Sequence, residues 1–209
     1  MTTGESIDRR RIWDQLAPRY DSAMRRTEPL LVGRDARARV CRQATGDVLE
    51  VAIGTGLNLP HYPAGVRLTA VDLSPAMLAI AGRRATELGL AIDLREAAAE
   101  RLPFAEATFD TAVSTLSLCS VTDDGAAVAE MYRVLRPGGQ LLLLDHVAAT
   151  NPILLALQRL WERVSLRTAG DYQTRHPLSH VLRVGFTVLD SQRTRLGMVQ
   201  RVRAAKPAT

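Results

Sequence analysis

The chain has 209 residues, 46% of them hydrophobic and 23% charged, with a formal net charge of +5. That length builds one domain with a full core and leaves no room for an appended RNA-binding module. No apolar run reaches the ~18–20 residues of a membrane span, and Glu5, Asp8, Arg9, Arg10 and Arg11 make the first residues too charged for a secretory signal.

Cys41 and Cys119 lie far apart without metal-ligand spacing, so free thiols in a reducing cytoplasm are expected. The charge is unevenly spread. Residues 1–45 carry 10 basic and 6 acidic side chains, residues 46–145 carry 7 and 13, and residues 146–209 carry 10 and 3. An acidic middle suits a cationic ligand. The basic flanks fit a solvated surface, or peripheral contact with an anionic membrane or an acidic substrate.

In chain order, residues 6–22 predict a short amphipathic helix with Ile7, Trp13, Leu16 and Tyr20, and residues 28–44 a second one. Strands follow at 47–53 and 66–72. Ser74-Pro75 starts a helix, with serine as N-cap and proline in the first turn, and that helix ends near Gly89. Strands at 91–95 and 108–115 bracket an irregular stretch. A helix over 123–135 stops at Arg136-Pro137-Gly138-Gly139. Residues 140–147 form a nearly continuous apolar strand, as expected of one covered on both faces. Asn151-Pro152 opens a helix through 167, then come a loop over 168–175, a short helix over 177–184 and closing strands at 185–191 and 196–204. The apolar stripe of the 151–167 helix fits core packing or membrane contact. Strands alternating with helices predict an α/β fold: a Rossmann-like, doubly wound, mostly parallel seven-stranded sheet with an antiparallel closing strand. Residues 1–45 would be a helical cap, 46–209 the core, and 151–183 a helical lid inserted in it.

The most informative stretch is Val48-Leu49-Glu50-Val51-Ala52-Ile53-Gly54-Thr55-Gly56, followed 18 positions after Gly54 by Asp72. An apolar strand enters a small-residue loop, and an acid ends the next strand. Glycines let backbone approach a ligand, and the acid accepts from ribose hydroxyls. A dinucleotide site would want a third glycine at position 59, where Leu59 follows Asn58. The loop therefore suits a nucleoside without a pyrophosphate. Ligands in such sheets sit beyond the strand C-termini at the topological switch point. That places Gly54, Asp72, the 96–100 loop, Thr115 to Ser117 and Asp145-His146 around one pocket.

These segments, with Glu50 inside the first, resemble class I S-adenosylmethionine-dependent methyltransferases over roughly residues 10–205. Ala17-Pro18-Arg19-Tyr20-Asp21, Val71-Asp72-Leu73-Ser74, Leu102-Pro103-Phe104, Phe109-Asp110 and the 133–139 stretch are similar to the branch of quinone C-methyltransferases and phospholipid N-methyltransferases. Leu59-Pro60-His61-Tyr62-Pro63 looks like the phospholipid enzymes. The 115–121 and 145–149 segments look like membrane-associated thiol S-methyltransferases.

The resemblance implies S-adenosylmethionine as cofactor and S-adenosylhomocysteine as product. It implies a cofactor set of Tyr20, Glu50, Ala52, Gly54, Thr55, Gly56, Asn58, Leu59, Asp72, Leu73, Met77, Ala98, Ala99, Glu100 and Thr115. Many relatives carry an Asp where Ala98 stands, so adenine would be held by backbone and by Leu73 and Met77. Tyr20 fits a closing or a packing role. His146, oriented by Asp145, is the candidate base, with a structural histidine as the alternative. Trp13, Ile153, Leu157, Trp161 and Tyr172 would wall the acceptor pocket.

The four histidines are too scattered for a metal site, and none is expected. The 115–118 segment lacks the Asn-Pro-Pro-Tyr end of nucleic-acid amino methyltransferases, so nucleic acid is not an expected partner. The acceptor would be a small, largely apolar thiol, amine or quinol-like carbon. A phospholipid amine at the membrane surface is the alternative, and non-catalytic cofactor binding the reading of another class. Nothing in the sequence sets the oligomeric state.

Overall fold

The computed structural model describes residues 3–168 and 170–208. Met1, Thr2, Ala169 and Thr209, which the expected cap, lid and core include, lie outside the described residues, as do the side chains of residues 3–8, Ile7 among them.

Strands β1 (Asp47–Val51), β2 (Arg67–Asp72), β3 (Ile92–Glu96), β4 (Phe109–Thr115), β5 (Leu135–His146), β6 (Thr187–Thr194) and β7 (Val199–Ala205) form one sheet in the order β3-β2-β1-β4-β5-β7-β6. β7 runs antiparallel to both neighbours, and the other pairings are parallel. The order reverses between β1 and β4. Their C-terminal ends therefore diverge from one crevice, where this architecture binds ligands.

Alternation along the strands feeds two cores, since successive side chains leave opposite faces. Leu49, Val51, Leu141 and Leu143 join one cluster with Met131 of α4 (Asp124–Val134). Val48, Val113, Leu142 and Leu144 join the other with Val40 and Cys41 of α2 (Ala36–Cys41) and Ala81 of α3 (Pro75–Glu87). Cys41 and Cys119 are both buried and free.

The helical cap differs from its expected form. One helix, α1, runs unbroken over Thr3–Leu31 with Pro18 and Pro29 inside it, and α2 covers only six residues. The expected gap at 23–27 holds Ala23, Met24, Arg25 and Arg26, which propagate a helix readily. The chain turns instead at Gly33, whose φ of +117° suits glycine.

The 136–139 stop works as expected, although pairing resumes earlier. Leu135 already faces Phe109, and the ladder shifts register before Thr111 meets Gln140. α5 (Pro152–Thr168) and α6 (Pro177–Arg183) follow the sheet's fifth strand. Among the described residues no helix is long and apolar enough to cross a membrane.

Candidate active site

The crevice holds a cavity lined by residues of α1, by the turns after β1 and β4, by the end of β2 and by the 97–100 loop. Its floor is the glycine turn and the acid of β2. Asp72 is buried, and its two carboxylate oxygens accept the Gly54 N–H at 2.7 Å and the Ser74 N–H at 2.9 Å. Asp72 itself lines the cavity. Burial pushes the Asp72 carboxyl up to about 6 against the pull of those backbone donors. Gly54 lines the cavity with φ +58°, and a Cβ built there meets nothing within 4 Å. The bare turn therefore leaves room for close ligand approach.

Ala52 (φ +56°) and Leu116 (φ +53°) follow β1 and β4 directly, in the left-handed region, and both line the cavity. For residues with a Cβ that conformation is strained, and such strain gathers at functional sites. Leu73, Met77, Ala97, Ala98 and Ala99 form a smooth apolar wall beside Asp72.

α1 closes the cavity from above, and three contacts fix it there. Asp14 accepts from Ser74 Oγ at 2.5 Å and from the Ala76 N–H at 3.2 Å, placing a carboxylate on the N-terminus of α3. Asp21 accepts from Thr55 Oγ1 at 2.6 Å and pairs with Arg84, which also donates to the Thr55 carbonyl at 2.7 Å. Arg9 donates to the Ser120 carbonyl and, at 2.9 Å, to that of Gly170. Arg9, Trp13 and Tyr20 thereby reach the lining, with the two rings edge to face at 6.0 Å. Burial pushes the Tyr20 hydroxyl up to about 12, so it stays protonated and can donate.

Of the residues expected to bind cofactor, Tyr20, Ala52, Gly54, Asp72, Leu73, Met77, Ala98, Ala99 and Glu100 line the cavity. The Glu100 carboxylate is engaged elsewhere, accepting from the Thr122 and Asp123 N–H groups at 2.7 and 3.1 Å. The others fall outside the lining. Glu50, 2% exposed, accepts from Asn58 Nδ2 at 2.7 Å and the Tyr62 hydroxyl at 2.9 Å. Asn58 also donates to Thr115 Oγ1 at 2.8 Å. Arg37 donates to Asn58 Oδ1, to Thr115 Oγ1 and to both oxygens of Glu28. These side chains brace the glycine loop from beneath. Thr55 holds α1, and Gly56 admits Leu59 and Ala81, whose atoms stand 2.8 and 3.3 Å from a Cβ built on it.

His146 and Asp145 also lie outside the lining. The Asp145 carboxylate is taken by the backbone N–H groups of Ser117, Leu118 and His146 at 3.1, 2.6 and 2.8 Å. It shapes the turn after β4. Cys119, Asp145 and His146 do bring their ligating atoms within 4.8 Å of one another, a grouping the histidine spacing did not foretell.

Two parts of the expected acceptor wall differ. Ile153, Leu157 and Trp161 are exposed, at 72, 58 and 59%. Tyr172 sits between the Arg9 and Arg175 guanidinium groups, 5.6 and 4.1 Å from its ring centre. Ser120 and Val121, the end of the 115–121 segment, line the cavity, as do Arg9 and Thr122, which were not expected at the site. The only sequence signal of those two was position on the cap or after β4.

Known proteins agree with this fold. A methyltransferase-domain family matches residues 49–143. A ubiquinone/menaquinone biosynthesis C-methyltransferase of Syntrophotalea carbinolica is 34% identical over 172 residues, covering 78% of this chain and 71% of that protein. The chain belongs to the class I S-adenosylmethionine-dependent methyltransferases. A phosphatidylethanolamine N-methyltransferase of Cereibacter sphaeroides is 39% identical over 120 residues, 56% of this chain and 59% of the relative, so the match spans less than two thirds of that relative. The crystal structure of a methyltransferase from Bacillus halodurans C-125 superposes with a TM-score of 0.69 over 83% of this chain and all of that one. Its 19% identity makes that a likeness of fold.

S-adenosylmethionine is the cofactor of this family, and the cavity suits it. The Asp72 carboxylate lines the cavity, the Gly54 turn is open, and three consecutive small alanines leave space for a flat base.

The buried acids also set a pH dependence. Burial pushes Asp72 up to about 6, Glu50 to about 7 and Asp171 to about 7. The folded methyltransferase therefore holds protons that the unfolded chain, with ordinary carboxyls, has released. The stability this adds is complete below the ordinary values and is lost as pH rises through about 6 to 7. Asp47, Asp110 and Glu130 are lowered by their arginine partners and act oppositely, losing their contribution as the medium turns acid. Thermal melts without cofactor should peak at mildly acidic pH and decline toward pH ~8. Glu50→Gln should flatten the decline, and a midpoint still rising at pH ~8 would contradict it.

Proposed function

We propose that this methyltransferase carries methyl from S-adenosylmethionine to a small, largely apolar acceptor: a thiol, an amine or a quinol-like carbon. The observation that carries the proposal is the cavity. It joins a nucleoside corner at Asp72 and Gly54 to a wall of Trp13, Tyr20, Leu116 and Val121 beneath α1.

We assign Asp72 to the ribose hydroxyls, the alanine wall with Leu73 and Met77 to the adenine, and Gly54 with the braced loop to the methionine end. When bound, the cofactor supplies a methyl group already activated on a sulfonium. The protein's task is then alignment and exclusion of water. α1 excludes water through the Asp14, Asp21 and Arg9 contacts. Tyr20 offers a hydroxyl to an acceptor or to the methionine carboxylate. A base is not required where the acceptor presents a lone pair. The second reading is phospholipid N-methylation at a bilayer surface, favoured by the Cereibacter relative.

The test is a labelled-methyl assay over thiols, amines, quinols and phosphatidylethanolamine vesicles. One of the soluble classes should accept label above background. Because His146 lies outside the lining, His146→Ala should keep turnover within about tenfold. A loss of ~10²–10⁴ would restore it as general base. Transfer to the phospholipid alone would favour the second reading.

A further inference from the structure

α5 turns polar side chains inward, beside the half-buried Leu154, Leu155 and Leu166. Gln158 accepts from the Ala149 N–H at 2.7 Å and donates to the Val147 carbonyl at 3.0 Å. Glu162 accepts from the N–H groups of Gln173 and Thr174 at 2.6 and 2.8 Å, and Ser165 donates to the Asp171 carbonyl at 2.8 Å. These residues recur at spacings of four and three, which keeps them on one side of the helix.

The opposite side is apolar and faces outward. Ile153, Leu157, Leu160, Trp161 and Val164 are between 48 and 72% exposed. Their spacing of four, three, one and three makes one continuous stripe along the helix. Contiguous apolar faces of this kind mark a partner surface.

The charge beside the stripe selects the partner. Arg159, Arg163 and Arg167 recur every fourth residue along one edge, and all three are exposed. The one acid of α5, Glu162, is held inward by loop backbone. The outer face thus offers a leucine-rich stripe with a tryptophan, a row of guanidinium groups and no negative charge. That is the chemistry of a helix lying in the plane of an anionic bilayer, its apolar side among the acyl chains and its arginines on phosphates.

We propose that α5 docks the protein on anionic lipid bilayers through this face. Docking does not depend on which acceptor is methylated, although it would place the enzyme where apolar acceptors dissolve. The helix is also linked to the active site through hydrogen bonds. α5 holds the 170–174 loop through Glu162 and Ser165, and the Gly170 carbonyl in turn holds Arg9 in the cavity lining.

The test is co-flotation of the whole chain with vesicles of phosphatidylcholine alone, or mixed equally with phosphatidylglycerol. Binding is expected to the mixed vesicles only and should weaken in high salt. Leu157→Glu with Trp161→Glu should abolish it while thermal midpoint and S-adenosylhomocysteine affinity stay unchanged, because both side chains face solvent. Arg159→Gln, Arg163→Gln and Arg167→Gln together should weaken it ~100-fold, about fivefold for each arginine.

Absence of binding to either vesicle overturns the proposal, as does undiminished binding by the Leu157/Trp161 variant. A collapse of that variant's melting midpoint would show the stripe to be interior and overturn it too. A dimer in sedimentation that the same variant dissociates would assign the face to a second copy of the chain. Methyl transfer to a soluble acceptor, measured alongside, separates failure of docking from failure of the proposed chemistry.

Discussion

Replacing Arg37 by Met should destabilise the protein by about 3–5 kcal/mol, the usual cost of breaking a buried ion pair from one side. Arg37 is 8% exposed. Its guanidinium grips both oxygens of Glu28 on α1 at 2.7 and 2.9 Å, then reaches Asn58 Oδ1 at 3.1 Å and Thr115 Oγ1 at 2.8 Å. One side chain therefore ties the cap, the glycine loop and the end of β4. Methionine fills much of the volume but donates nothing. It leaves the largely buried Glu28 carboxylate without its partner and Asn58 Oδ1 without a donor. Urea unfolding followed by circular dichroism would measure the loss, and the melting midpoint should fall by roughly 10 °C for a chain of this size. Glu28→Leu added to Arg37→Met should recover part of it, since no orphaned charge remains. A loss below ~1 kcal/mol would mean that the pair behaves as a solvated surface contact.

Arg37 was invisible in the sequence as a structural centre, and the reason is general to this site. Motifs that act through backbone are local and legible. Gly54, Asp72 and the Ser74-Pro75 cap lie close together in sequence, and each performs an elementary task there: an open turn, an acceptor, a helix start. The inner strands were legible within a few residues because their apolar runs are buried in the sheet. What could not be read was action at long sequence separation. Arg37 serves Thr115 across 78 positions, and Arg9 serves Gly170 across 161. Six residues that the resemblance assigned to cofactor binding lie outside the cavity lining, because a family motif records position and does not separate lining from the layer behind it.

α5, whose stripe fitted either core packing or membrane contact, was open for a different reason. An apolar stripe at helical spacing ordinarily faces a core, since most helices bury their apolar side. Here Gln158, Glu162 and Ser165 hydrogen-bond loop backbone, which holds the polar side inward. Periodicity defines the two faces of a helix but cannot say which is turned in. The positive φ values at Ala52 and Leu116 are likewise silent in sequence, for neither residue type favours that conformation.

Replacing Asp72 by Ala should weaken S-adenosylmethionine binding by about 1–3 kcal/mol, roughly 5- to 150-fold, the cost of leaving ribose hydroxyls without a charged acceptor. The same change frees the Gly54 and Ser74 N–H groups that Asp72 now satisfies, so the turn itself should loosen. A pH series separates the two effects. With the Asp72 carboxyl at about 6, protonation removes the charged acceptor as the medium turns acid. Calorimetric affinity of the native protein should therefore be about tenfold lower at pH ~5 than at pH ~8, because only about a tenth of the carboxyl is ionised one unit below its midpoint. The Ala variant has no such group and should bind weakly and almost evenly across that range. If the loss came from a loosened turn alone, native binding would show no acid limb. If the variant bound as tightly as the native chain, Asp72 would be a brace for the turn, and the ribose would have to be held from the alanine wall or from α1.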